Sequence, residues 1–182
     1  MNSIKRNHKV TVLAHCLLNS SVKVVGLANY TGVLEKVLLQ CLREKAGIVQ
    51  LPCPETSYCG LKRWGQTREQ YDHRAYRRNC RALLEPVVDL LEELQRNGCS
   101  INILGVDGSP SCGVTKTCTG FSGGELDSRE KFDEQLANLR KVEGPGVFME
   151  ELAYLLSERN IRAEFTAIDE NTLDWGNKAC ND

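Results

Sequence analysis

Lys9-Val10-Thr11-Val12-Leu13-Ala14 is short, apolar and rich in β-branched residues, and it reads as a buried strand. Three further runs extend the pattern. Gly47-Ile48-Val49-Gln50-Leu51 is stopped by Pro52, Ile101-Asn102-Ile103-Leu104-Gly105-Val106 follows, and Arg162-Ala163-Glu164-Phe165-Thr166-Ala167-Ile168 alternates. Helical patterns fill the intervals. Val33 to Lys45 sets Val33, Leu34, Val37, Leu38 and Cys41 on one face and is closed by Gly47. Thr67 to Asn97 opens on a capping box of Thr67 and Gln70 and ends at Gly98. Pro86 inside it predicts a kink or a break into two helices. Val147 to Leu156 is a third helix behind Gly144-Pro145-Gly146, and Gly120 to Ser128 reads as a loop. Strands alternating with helices predict an α/β fold. Residues 1–182 are expected to form a single domain, a Rossmann-like three-layer sandwich with a mainly parallel sheet.

Composition narrows the partners. Lys and Arg number 23 against 24 Asp and Glu, a net charge of −1 that offers no field for nucleic acid or an anionic membrane. No apolar stretch approaches the ~18 residues of a membrane span. The polar start, Met1 to Lys9, and the short run after it predict no secretory leader. The unusual number is nine cysteines, an odd count in a chain large enough to bury a core without cross-links. In the cytoplasmic, reduced setting this implies, cysteines point to metal or catalysis before disulfides.

Placed on the strand map, Cys16, Cys53 and Cys112 each follow the carboxyl end of a strand, where open parallel sheets gather ligands. Leu51-Pro52-Cys53-Pro54-Glu55 fixes the backbone on both sides of its cysteine and sets a carboxylate two residues beyond. Gly108-Ser109-Pro110-Ser111-Cys112-Gly113 surrounds its cysteine with small residues that let a bulky group approach. No C-x-x-C pair accompanies them, which argues against a zinc ribbon. Cys41 and Cys80 sit in helical patterns as small buried hydrophobes, Cys99 precedes a strand and Cys180 is in the tail. Cys59 and Cys118 each lie six residues past a candidate ligand, as a spare ligand or a nearby thiol.

The blocks Ala14-His15-Cys16-Leu17-Leu18, Cys53-Pro54-Glu55 and Ser109-Pro110-Ser111-Cys112-Gly113 resemble the thiouracil desulfurase (TudS) family, in its order and at similar separations. The last block is the most specific. Where family members continue with Gly and a Val-Arg-Tyr-Asp-Gly stretch, this chain has Asn19 and Val22-Lys23-Val24-Val25-Gly26, the mark of a divergent branch. The resemblance implies a [4Fe-4S] cluster on Cys16, Cys53 and Cys112, with one iron free of protein ligands and lined by Glu55 and Ser109. It implies a non-redox, oxygen-sensitive desulfidase whose substrate, a thiolated pyrimidine base or its nucleotide, binds its sulfur at that iron. Glu55 would deprotonate the attacking water, and Ser109 would hold the ring or relay a proton.

Other readings stay open. Glu55 is also a helix-start carboxylate and Ser109 a turn hydroxyl; His15, next to Cys16, could hydrogen-bond a cluster sulfur or the substrate, but near a strand end it is expected to pack into the core on the opposite face. Between Lys62 and Arg81 lie Lys62, Arg63, Arg68, Arg74, Arg77, Arg78 and Arg81, with Glu69, Asp72, Tyr71, His73 and Tyr76 interleaved. This is a solvated helix face or a phosphate-binding rim for a nucleotide or a modified RNA, with Trp64 beside it to stack on a base. Beside the desulfidase stand two alternatives: a cluster protein that only senses or carries sulfide, and a zinc or apo thiol protein.

Overall fold

A computed structural model describes residues 7–170 of the chain. Residues 1–6 and 171–182, Cys180 among them, lie outside the described residues. The elements run β1 (Lys9–Leu13), α1 (His15–Leu18), a 3-10 turn (Ser20–Val22), α2 (Glu35–Arg43), β2 (Gly47–Gln50), α3 (Pro54–Cys59), α4 (Arg68–Tyr71) and α5 (Arg74–Arg96). They continue with β3 (Ser100–Val106), β4 (Lys116–Thr119), α6 (Arg129–Asn138), β5 (Arg140–Glu143), α7 (Val147–Glu158) and β6 (Glu164–Ile168). The four predicted strands form one parallel sheet in the order β2-β1-β3-β6, and β4 and β5 form a separate antiparallel pair.

Register decides what covers each face. Val10 pairs with Ile101 and Val12 with Ile103, so these residues and Gly105 share one face, while Thr11 pairs with Asn102 and Leu13 with Leu104 on the other. A methyl added at Gly105 would meet Met149 of α7, which sets α7, and the α5 packed against it, on the first face. The Cys41 thiol of α2 lies against the Thr11 hydroxyl on the second face. Helices thus cover both faces of the sheet, a single-domain three-layer α/β arrangement with the Val, Ile and Leu of β1 and β3 at its centre. From β1 the chain crosses to β2 on one side, and from β3 to β6 on the other. The carboxyl ends of β1 and β3 therefore flank the point where strand order reverses, the crevice in which such sheets bind ligands.

The long helical stretch breaks, but not at its proline. Asp72 and His73 separate α4 from α5, with His73 Nδ1 accepting the Tyr76 amide at 3.4 Å as an N-cap and the expected Thr67–Gln70 box opening α4. α5 then runs unbroken through Pro86. Tyr76, Cys80, Leu84, Val88 and Leu91 form its buried stripe, whereas Ala82 and Pro86 are exposed, so the carbonyl that loses its donor faces water. The helix expected over Val33–Lys45 is shorter, and Lys45 itself takes the left-handed turn (φ 53°), leaving Gly47 to open β2.

Candidate functional site

A cavity of about 390 Å³ opens at the strand-order crevice, and Cys16, Cys53, Cys112, Glu55 and Ser109 all line it. Three loops deliver them. Cys16 sits in the single turn of α1 that follows β1. Cys53 follows β2 as the N-cap of α3, its sulfur accepting the Thr56 amide at 3.4 Å, with Pro54 in the first turn. Cys112 follows β3 and is buried. The cysteines of the described residues are free thiols.

The Cys112 loop is the most heavily held. Ser109 Oγ accepts the amides of Cys112 (2.9 Å) and Ser111 (3.3 Å), and Ser111 Oγ meets the buried Tyr76 hydroxyl at 2.8 Å. The Val106 amide donates to the Cys112 carbonyl at 2.8 Å. The first amides of α7, Val147, Phe148 and Met149, donate to the carbonyls of Pro110 and Ser111 at 2.9–3.1 Å, so the loop caps that helix. Asp107 accepts the amides of Val114, Thr115 and Lys116.

Glu55 is not a free carboxylate. Its Oε2 takes the Arg63 Nε–H at 3.1 Å, in an ion pair whose side chains are only 14% and 4% exposed. On another wall Glu170, just past β6, pairs with Lys23, and the Tyr30 hydroxyl bridges Glu170 (3.0 Å) and the Cys16 carbonyl (2.8 Å). Lys141 of β5 lies flat across Gly108, whose φ of +84° and missing side chain leave it room. Arg63, Lys23, Tyr30, Glu170 and Lys141 carry no periodic or motif signal of their own. Of these, only the basic run around Arg63 and the Val22–Gly26 departure touched on them from sequence.

Burial pushes the Cys16 thiol up to about 12, with Glu170 adding to it, Lys23 opposing, and Cys53 and Glu55 adding further. Burial also raises Cys112 well above the usual thiol range, reinforced by Cys16, Cys53 and Glu55. Such a donor set fits an [4Fe-4S] cluster, whose positive core would supply the charge these thiols need to ionise. Among the described residues no group of three or more His, Cys, Asp and Glu side chains could hold a single metal ion. A cluster makes a different demand, because each thiolate ends on its own iron and the sulfurs stand apart.

Three expectations are corrected. His15 lines the cavity, with Nδ1 3.0 Å from the Leu51 carbonyl oxygen, because the chain has already turned into α1, where neighbours stand ~100° apart instead of 180°. The basic segment is divided rather than one rim: Lys62, Arg74 and Arg78 are exposed, as a solvated face would have them, and Arg63 lines the cavity, but the rest are paired. Arg68 and Arg77 bind Asp72 and Glu150, and Arg77 and Arg81 bind the buried Glu151, tying α4 and α5 to α7. Tyr71 and Tyr76 stack in the core at 4.5 Å, and Trp64, 76% exposed, does not line the cavity. Cys41 and Cys80 are buried fillers; Cys59, Cys99 and Cys118 are half-buried, none lining the cavity.

Fold and site together define an α/β protein with a thiol-lined cavity at the switch point of a parallel sheet. No protein-family model matches the chain. The chain belongs to the family of the uncharacterized protein MJ0003 of Methanocaldococcus jannaschii, to which it is 34% identical over 111 residues, 61% of this chain and 71% of the relative. Among solved structures, a [4Fe-4S]-dependent thiouracil desulfidase, TudS, aligns with 91% of this chain and 93% of its own at 18% identity, with a TM-score of 0.44. Among the described residues no helix is long and apolar enough to cross a membrane.

Proposed function

We propose that this chain is an iron–sulfur desulfidase that replaces the C=S of a thiolated pyrimidine, as base or nucleotide, by C=O. Cys16, Cys53 and Cys112 hold a [4Fe-4S] cluster, and Glu55 and Ser109 face the substrate. The observation that carries this reading is the meeting of these five residues, from three separate strand ends, in one cavity. A cluster on three thiolates leaves one iron without a protein ligand, a Lewis acid suited to a soft thiocarbonyl sulfur.

The chain's own groups do the rest. Arg63 occupies Glu55 Oε2, so Oε1 is the oxygen that takes a proton from water in the cavity. The water oxygen forms the new bond to the ring carbon, and sulfur leaves as sulfide with no net oxidation or reduction. Ser109 Oγ already accepts two amides, so its O–H is left to donate to the ring. The Lys141 ammonium makes no hydrogen bond or ion pair among the described residues and is the cation available to a nucleotide's phosphate.

Anaerobic reconstitution with iron and sulfide should give a brown protein absorbing near ~400 nm, as cluster proteins do. Cys16→Ser, Cys53→Ser and Cys112→Ser should each lose that band, and Cys41→Ala should keep it. The loaded protein should release sulfide from at least one of a panel of thiolated bases, nucleosides and nucleotides. A protein that stays colourless sinks the cluster; a brown protein that releases no sulfide sinks the enzyme and leaves the sulfide carrier.

A further inference from the structure

Arg63 has a nearly buried side chain, 4% exposed, and every guanidinium nitrogen is engaged. Nε donates to Glu55 Oε2 at 3.1 Å, and Nη1 to Thr56 Oγ1 at 3.3 Å and the Gly60 carbonyl at 3.1 Å. Nη2 donates to the Val22 carbonyl at 2.9 Å. One planar group therefore grips both ends of α3 and the start of a loop that belongs to a different part of the chain.

That loop covers the cavity. Its base is closed by Ser20 and Gly32, whose amides donate to the Gly32 carbonyl (2.8 Å) and to Ser20 Oγ (2.9 Å). Between these ends Val24, Gly26, Leu27 and Asn29 line the cavity, while Val25 stands out in solvent, the form of a compact Ω-loop. Side-chain ties hold it down at Val22, whose carbonyl accepts from both Arg63 and the Thr56 hydroxyl (3.3 Å), and at the Lys23–Glu170–Tyr30 group beside it.

We propose that Arg63 is the positioning residue of this cavity, holding the Glu55 carboxylate on the wall and fastening the 22–30 loop over it. The geometry requires a guanidinium. A lysine ammonium is a point charge on a flexible stem and cannot meet a carboxylate and two carbonyls in one plane. The Glu55 half of this inference rests on the desulfidase reading, whereas the loop half stands apart from it.

Hydrogen exchange on the full chain tests the loop. In Arg63→Ala the amides of 22–30 should exchange at least about tenfold faster, the factor expected for one lost charge-assisted hydrogen bond, with β1 and α5 unchanged. Arg63→Lys should resemble Arg63→Ala, and methylguanidinium should restore protection to the alanine variant. Unchanged exchange at 22–30, or a rise shared equally by β1 and α5, overturns the fastening role. With the loaded enzyme, Arg63→Ala should lower kcat about 10- to 100-fold, but less than about twofold in a Glu55→Ala background, where the group it positions is gone. An equal loss in both backgrounds overturns positioning through Glu55. A wild type without turnover sinks the desulfidase reading and the Glu55 half together, and exchange still decides the loop.

Discussion

Replacing Gly105 by alanine tests how the Cys112 loop is held. Gly105 lies on β3 beneath that loop, and an added methyl would stand 2.7 Å from Val114 Cγ2, 3.0 Å from Met149 Cε and closest of all to the Cys112 carbonyl oxygen. Ordinary contact begins near 3.4 Å, so the loop must retreat by roughly 1 Å. Overpacking that side chains can absorb costs about 1–3 kcal/mol. Here the nearest obstacle is backbone, pinned by the Val106 amide, by Ser109 and by the start of α7, so the cost belongs at the upper end, about 3 kcal/mol. For a chain of this size that lowers Tm by about 6–12 °C. Thermal denaturation of the reduced apoprotein measures it. Gly47→Ala is the control, because its methyl meets nothing closer than 3.7 Å and it should hold or slightly raise Tm. A Gly105→Ala protein within about 2 °C of wild type would refute the claim that this glycine is required by the loop above it.

Asp107→Ala removes the acceptor of three amides and the Thr115 hydroxyl, and should cost about 2–3 kcal/mol in urea denaturation, with Thr115→Ala costing less. Burial by itself would raise the Glu151 carboxyl, but Arg81 and Arg77 overcome it and hold it below the usual range. Its folded pKa thus lies under the unfolded value of about 4.3, so the stability it contributes is full above that pH and is lost as pH falls through the folded value. Glu151→Gln should therefore be less stable than wild type by about 1–3 kcal/mol at pH 7, discounted because Arg81 is half exposed. The gap should close below about pH 4, and a gap that persists in acid would exclude the ion pair as its source.

The sheet was legible because its strands are short apolar or alternating runs, one of them stopped by Pro52, set between helical patterns, and three cysteines past their ends marked the crevice. The separate β4–β5 pair and α6 were not. Lys116–Thr119 and Arg140–Glu143 are four-residue polar strands, and α6 buries no side chain, so neither has an apolar face to betray it. The arginines of 62–81 misled for a different reason. Counted locally they face only Glu69 and Asp72, but Glu150 and Glu151, which bind Arg68, Arg77 and Arg81, lie 70 to 82 residues further on. Arg63 belonged to the same run and has a different office, since its carboxylate partner is eight residues before it. A run of like charges therefore says little until each side chain's partner is known.

The charges in the cavity carry this reasoning to the cluster itself. Glu55 is met by Arg63, Glu170 by Lys23, and Asp107 by three amides, so each carboxylate in the cavity is answered by a group of the chain. The thiols are not. Burial opposes ionisation of Cys16 and Cys112, Cys53 and Glu55 add to the cost of both, and Cys16 adds to that of Cys112. Lys141 is one uncommitted ammonium for three sulfurs. Lys23 acts on Cys16 and Arg63 on Cys53, but each already answers a carboxylate, so added positive charge would offset the cost of ionising these thiols. The proposed cluster would supply that charge and would suit cysteines that approach from three strand ends, since a cluster needs its thiolates apart while a single ion needs them together.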